Sequence, residues 1–269
     1  VIETVLVGAT GRMGRSMLAL LAEFPELTLV GAVASERSAA LGRDSGELAG
    51  AGINGVPISH QLPPLLSRAQ LVIDFSQAAA AAGHLAACVA ARTPLLLGTT
   101  GLPRELGAPL AAAGERIPLL VAANTSLGVN LLLELVRTAA TALPGFDVEI
   151  AETHHRHKVD APSGTALALG RAAAEARGTT LEAHGVVRQA GQPGERRREE
   201  IGFAVMRGGD VAGEHNVRFL GAGESVELIH RASDRRIFAR GALAAGRWLA
   251  GQAPGRYDMG SFIKSISVL

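Results

Sequence analysis

The sequence predicts an α/β chain: a parallel sheet wrapped by helices in the N-terminal half, then a second, α+β domain built on a mixed sheet. Two observations predict it. Up to about residue 125, short apolar runs alternate with alanine- and leucine-rich stretches of helical length, the pattern of βαβ units. Between Val186 and His230, several β-rich runs follow one another across glycine-rich turns with no long helix between them, which groups them in a sheet of their own.

The strands of the first sheet are expected at Thr4–Val7, Leu27–Val33, Leu71–Phe75, Pro94–Leu97 and Pro118–Val121. Each is short, apolar and followed by glycine, serine, threonine or asparagine, so small polar residues collect at the carboxyl edge, where ligands bind in open α/β sheets. A helix over Val129–Ala142 ends at Pro144-Gly145, and a strand over Val148–Ala151 leads into a histidine-rich segment. Ile201–Arg207, Val217–Leu220 and Val226–Ile229 supply the second sheet, and the helical pattern of Ile237–Leu249 returns to the first domain. The expected domains are therefore residues 1–125, completed by 236–269, and residues 126–235. No internal repeat or low-complexity linker interrupts them.

A net charge of +1 over 269 residues gives no long-range field toward nucleic acid or an acidic membrane. The one charge block, Glu195-Arg196-Arg197-Arg198-Glu199-Glu200, is internally balanced and reads as a solvated loop. Cys88 is the single cysteine, which excludes an intrachain disulfide and a multi-cysteine metal site and fits a reducing compartment; its alanine-rich surroundings make it core packing. The chain enters Val5-Leu6-Val7 with no basic leader, and no apolar run approaches bilayer length, so a cytoplasmic protein is expected, with neither membrane nor nucleic acid as partner.

Val5-Leu6-Val7-Gly8-Ala9-Thr10-Gly11-Arg12-Met13-Gly14 is an apolar strand running into spaced glycines and then an amphipathic helix bearing Met17, Leu18 and Leu21. Glycines let backbone amides approach a pyrophosphate, and the helix start adds partial positive charge, so this is a Rossmann-type dinucleotide site despite Ala9 at the first glycine position. Choice between NADH and NADPH falls after the second strand, at Ser35-Glu36-Arg37. A carboxylate there holds a ribose hydroxyl and an arginine a 2′-phosphate; with Glu36 and Arg37 both present, dual use leaning toward NADPH is expected. Two further turns on the same edge, Gly98-Thr99-Thr100-Gly101 and Ala122-Ala123-Asn124-Thr125, leave room for a flat ring beside Asn and Thr.

The most chemically dense stretch is Glu152-Thr153-His154-His155-Arg156-His157-Lys158-Val159-Asp160-Ala161-Pro162-Ser163-Gly164-Thr165-Ala166. Of 26 basic residues only Lys158 and Lys264 are lysine, so Lys158 stands out as an ammonium chosen for its transferable proton. Ser163 or Thr165 caps a helix whose free amides face an anion, and with Lys158 and His155 they form a pocket for a carboxylate. A metal on His154, His155 and His157 is not expected, since neither a cysteine nor a second histidine cluster completes the set.

With these motifs in place, the chain resembles the dihydrodipicolinate reductase family, from Val5 to about Met259. Gly8–Gly14, Gly98–Gly101, Glu152–Ala166 and Gly213-Glu214-His215 carry the resemblance, and the histidine segment is nearly diagnostic. The resemblance implies an N-terminal domain that binds NADH or NADPH through Gly8–Met13 (Gly8, Ala9, Thr10, Gly11, Arg12, Met13), Gly98–Thr100 and Ala122–Thr125. It implies a second domain that binds a cyclic dicarboxylate, with His154 and Lys158 handling the proton and His155, Gly164 and Thr165 touching substrate. It also implies a homotetramer formed through the second sheet and hinged domain closure. Ser35 is the clearest departure, because many members carry an acidic residue there. Two rival readings, another Rossmann amino-acid or hydroxy-acid dehydrogenase and a catalytically silent nucleotide sensor, share the glycine loop but have no need of the His154-to-Thr165 constellation.

Overall fold

The structure, a computed structural model, describes residues 1–187 and 194–266. Residues 188–193, inside the expected second domain, and 267–269, at the end of the expected returning segment, lie outside the described residues. The chain divides into two compact units, Val1–Leu127 with Arg236–Leu269, and Gly128–Arg235.

In chain order the first unit contributes β1 (Ile2–Val7), α1 (Arg12–Leu20), β2 (Leu27–Val33), α2 (Ser45–Ala49), β3 (Ile58–Ser59), β4 (Leu71–Asp74), α3 (Ala78–Ala91), β5 (Leu95–Leu97), α4 (Gly107–Gly114) and β6 (Pro118–Val121). Helix α5 (Leu127–Ala142) then leaves it. The strands read as continuous apolar runs because both faces of the sheet are covered. Leu6, Ile73, Leu96 and Leu120 pack with Met17 and Leu18 on one face. Val5, Val72, Leu95 and Leu97 pack with Leu85, Cys88 and Leu110 on the other. Cys88 is thus buried, and burial pushes its thiol up to about 12, an inert core residue.

The second unit follows with β7 (Asp147–His154), α6 (Gly164–Ala176), α7 (Leu181–His184), β8 (Gly185–Val187), β9 (Ile201–Arg207), β10 (Gly213–Leu220) and β11 (Ser225–Ala232). Its described strands lie in the order β11-β10-β7-β9-β8. β10 is antiparallel to β7 and β11, whereas β7, β9 and β8 run parallel, so the sheet is mixed. One face is covered by helices: Val148, Ile150, Phe203, Val217 and Phe219 pack against Leu132 and Val136 of α5 and Leu169 and Ala173 of α6.

Helix α8 (Arg236–Leu249), β12 (Gly255–Tyr257) and α9 (Met259–Ile266) return to the first unit. With β12 paired to β6, the all-parallel sheet reads β12-β6-β5-β4-β1-β2-β3, and chain direction across it reverses between β1 and β4. Three strands absent from the sequence reading, β3, β8 and β12, are two or three residues long and have no period to read.

Two expectations are corrected. The strand expected over Val148–Ala151 runs on to His154, because β10 and β9 extend the ladder on either side: Glu152 lies opposite His215 and His154 beside Arg207. Polar residues broke the apolar alternation without ending the strand. The charge block is not simply solvated either. Arg196 lies against β7, donating to Asp147, Glu149 and the carbonyls of Val148 and Glu200, because the acidic outer positions of β7 supply partners that a local balance of charge does not reveal.

Candidate active site

The carboxyl edge of the first sheet is a cradle made of backbone. Gly8 has φ +81°, and a Cβ on it would stand 2.6 Å from the Phe75 carbonyl oxygen, so only glycine closes the turn. A Cβ on Gly14 would overlap the Gly8 carbonyl and Ala9, which lets α1 start hard against the strand. The Gly8 and Ala9 amides both donate to Val33 O at 2.9 Å, fixing the loop to the end of β2. Gly11 caps α1 in extended conformation with no side-chain bond to the helix, so the first-turn amides, those of Arg12 and Met13 included, face outward. Glycine-lined backbone, free amides and a helix N-terminus are the donor set a pyrophosphate requires.

The other expected cofactor residues line the same edge. Ser35, Glu36 and Arg37 are exposed just past β2, with the Ser35 hydroxyl accepting from the Arg37 amide at 3.3 Å. Gly98 donates to Asp74 O at 2.8 Å, and its missing side chain gives the Phe75 ring its place. Thr99 is buried on Ser76 O while Thr100 is exposed. Ala122 donates to Leu97 O, and the Asn124 side chain accepts from Ser126 N at 2.9 Å. Thr125 is buried, with its hydroxyl donating to Phe238 O at 2.7 Å.

In the second unit the constellation is made of side chains. The buried face of the sheet is apolar along Val148 and Ile150, then turns titratable at Glu152 and His154, which share that face by strand alternation. Glu152, 1% exposed, accepts from Ser163 N at 3.0 Å and from the Arg207 guanidinium at 2.8 Å, both on Oε1. Burial works to raise its pKa, but the bonds from Ser163 and Arg207 outweigh it and hold the carboxyl below its ordinary value. Burial pushes His154 down against the pull of Glu152, and drives His215 down to about 4. Both imidazoles are therefore neutral at physiological pH.

The segment after β7 is pinned by its backbone. Gly208 N donates to His154 O, His155 N to Val211 O and Arg156 N to Gly209 O, and Arg207 reaches Asp160 O at 2.7 Å. His155 accepts from Arg235 at 2.6 Å on an open cleft of about 930 Å³ that is also lined by Arg156, His157 and Asp210. Burial, then the Arg235 charge, lowers the His155 pKa. Lys158 donates to both oxygens of Asp160, at 2.7 and 2.8 Å, and the Gly164 amide holds the same carboxylate, whose pKa the lysine lowers first of all. Nothing stands within 4 Å of where a Cβ on Gly164 would lie.

Ser163 is the N-cap of α6, accepting from Ala166 N at 3.1 Å; it is buried, with hydroxyl and amide both engaged inside the protein. Thr165 is half-buried in the first turn. Among the described residues, the one group of three His, Cys, Asp or Glu side chains whose ligand-type atoms come within 4.8 Å of one another is Glu152, His154 and His215, not the histidines adjacent in sequence. Sequence reasoning missed the roles of Glu152, Arg207, His215 and Arg235. His215 lay within a motif that carried the resemblance, yet only the β7–β10 register brings it opposite Glu152.

The family model for the N-terminus of dihydrodipicolinate reductase matches residues 2–125, and that for its C-terminus matches residues 128–263. The chain belongs to the dihydrodipicolinate reductase family. A 4-hydroxy-tetrahydrodipicolinate reductase of Thiobacillus denitrificans is 47% identical over 259 residues, covering 96% of this chain and 97% of the relative. Its counterpart in Alkalilimnicola ehrlichii is 49% identical over 255 residues, covering 94% and 96%. Among solved structures, the dipicolinate-bound dihydrodipicolinate reductase of Paenisporosarcina sp. TG-14 superposes with a TM-score of 0.78 at 22% identity, over 96% of this chain and 97% of that one. As a dihydrodipicolinate reductase family member the chain is an NAD(P)H-dependent oxidoreductase, and its glycine cradle fits the dinucleotide.

Proposed function

We propose that this protein reduces 4-hydroxy-tetrahydrodipicolinate to tetrahydrodipicolinate, with loss of water, using NADPH or NADH in the diaminopimelate route to lysine. The observation that carries the reading is a carboxylate already seated where the substrate's would go: Asp160, held by the Lys158 ammonium and the Gly164 amide. A dicarboxylate displacing it would meet the same donors, with Thr165 next in the helix and the cleft that holds His155, Arg156 and Arg235 nearby in the same unit.

Gly8, Ala9, Thr10, Gly11, Arg12 and Met13 would hold the pyrophosphate, Arg37 or Glu36 the adenosine ribose, and Gly98–Thr100 with Ala122–Asn124 the nicotinamide end. When bound, the reduced dinucleotide supplies hydride to the electron-poor ring. Lys158 Nζ, released from Asp160, donates the proton that the neighbouring ring atom then needs, and neutral His154 relays or returns a proton through a ring nitrogen. Fixing both carboxylates holds the ring in line for transfer, which lowers the entropic part of the barrier.

Among the described residues no helix is long and apolar enough to cross a membrane. We place the enzyme in the cytoplasm, a reading supported by its one buried thiol. The outer face of the second sheet exposes Met206, Leu220 and Ile229, which supports assembly of a homotetramer through that face.

The test is the loss of NADPH and NADH absorbance with freshly generated cyclic substrate. Turnover with either cofactor, competitively inhibited by pyridine-2,6-dicarboxylate, is expected, with Arg37→Ala weakening NADPH alone. Absence of turnover, or inhibition unchanged in Lys158→Ala, would refute the reading.

A further inference from the structure

Among the described residues of the second unit Glu152 is the most deeply buried charge, and nothing in the proposed reaction uses it directly. Its two oxygens do different things. Oε1 takes both strong donors, Ser163 N and Arg207 Nη2, so the carboxylate is ionised and locked in one orientation. Oε2 has no hydrogen-bond partner among the described residues, yet it faces two imidazoles: His154 Nδ1 at 3.4 Å and His215 Nε2 at 3.7 Å. His154 Nδ1 also lacks a partner there. A buried carboxylate oxygen and a buried ring nitrogen facing each other are each costly if unpaired, and one proton on Nδ1 satisfies both.

The surroundings leave the other ring nitrogen for chemistry. His154 Nε2 lies beside Gly213, where a Cβ would stand only 3.0 Å away, so glycine at 213 leaves that nitrogen uncrowded by a side chain. The His215 ring lies edge-on to His154 at 5.1 Å between centroids.

We propose that Glu152 is a positioning residue that fixes His154 as the Nδ1-protonated tautomer and leaves Nε2 as the unprotonated, acid–base-competent nitrogen. Through its bond to Ser163 N, the same carboxylate ties the ring's orientation to the N-cap of α6, the helix proposed to hold the substrate carboxylate. His154 thereby enters the reaction as a proton acceptor at Nε2, while the ammonium of Lys158 is the standing donor. The inference rests on the proposed function for its catalytic meaning, but not for the tautomer.

The charged and titratable groups around His154 are Glu152, Lys158, Arg207, His155 and His215. Only Glu152 stabilises its protonated form. Glu152→Gln keeps the shape, can still accept from Ser163 and Arg207 through its carbonyl oxygen, and presents an NH2 where Oε2 was, which inverts the preferred tautomer of His154.

The primary measurement is nitrogen-resolved NMR of histidine-labelled full-length protein. Wild type is expected to show His154 protonated on Nδ1, and Glu152→Gln on Nε2. In parallel, kcat of Glu152→Gln should fall by on the order of 10²-fold, with the affinities for NADPH and pyridine-2,6-dicarboxylate kept within about twofold. The pH limb belonging to His154 should move to lower pH, and Glu152→Asp should recover part of the rate. An Nε2-protonated His154 in wild type overturns the proposal, as does loss of both affinities together with the rate. Histidine signals that change on EDTA treatment of wild type would mean that a cation, not a proton, satisfies Oε2, and would also overturn it. If Glu152→Gln does not fold, the wild-type tautomer decides alone. If wild type proves inactive toward the cyclic substrate, the proposed function fails while the tautomer result still stands.

Discussion

The glycine cradle of the first unit and the histidine cluster of the second are built from opposite materials. The cradle works by leaving side chains out: Gly8 and Gly14 remove Cβ atoms so that amides of the backbone become the proposed binding groups. The cluster works by burying side chains that ordinarily stay in water, with Glu152, His154 and His215 all at most 8% exposed. A buried carboxylate costs several kcal/mol in desolvation, offset here by two charge-assisted bonds of roughly 1.5–3 kcal/mol each. The difference teaches where each site is fragile. The cradle should tolerate pH and fail on added bulk, whereas the cluster should tolerate little change of charge.

The largest expected effect that tests this contrast is Lys158→Ala. Removing the proposed proton donor should cost about 10²–10⁴ in kcat, or roughly 3–5 kcal/mol, with NADPH affinity unchanged by calorimetry. Near-normal turnover with weakened NADPH binding would mean that Lys158 belongs functionally with the cradle.

Next comes the pH dependence of stability, which should come from the cluster. His215 has a folded value near 4 against an ordinary value of about 6.5, so between these the unfolded chain takes up a proton that the folded one refuses. Stability from this residue is therefore present above about pH 6.5 and falls as pH drops toward 4, by about 3 kcal/mol in all. Urea midpoints measured across that window should flatten in His215→Asn. An equally steep decline in that variant would remove His215 from the account.

The smallest effect expected is that of Gly14→Ala, whose Cβ would press on the Gly8 carbonyl. Such overpacking costs about 1–3 kcal/mol of stability and should lower NADPH affinity while pyridine-2,6-dicarboxylate still protects Lys158 from acylation. Equal loss of both ligands would erase the distinction between the two sites.

Much of the first unit was legible because its determinants are local. A short apolar strand, spaced glycines and a helix start lie within a dozen residues, and each acts through the backbone that carries it. The histidine segment was legible for the same reason, with Lys158 singled out and the helix cap narrowed to Ser163 or Thr165, of which the structure has Ser163. What the local pattern could not say is that β7 continues past Ala151, since Glu152 and His154 look like the end of an apolar strand until β9 and β10 extend their ladders alongside. Nor could it assign Arg196 to Asp147 and Glu149. The sequence by itself determined the α/β class, the dinucleotide cradle and the residues of the proposed chemistry, because each depends on neighbours a few positions apart. Only the tertiary structure decided what those residues face. Glu152, Ser163, Arg207 and His215 come from four separated stretches of chain, and only the fold brings the Ser163 amide and the Arg207 guanidinium within hydrogen-bonding range of the buried Glu152 carboxylate, with His215 Nε2 3.7 Å from its other oxygen.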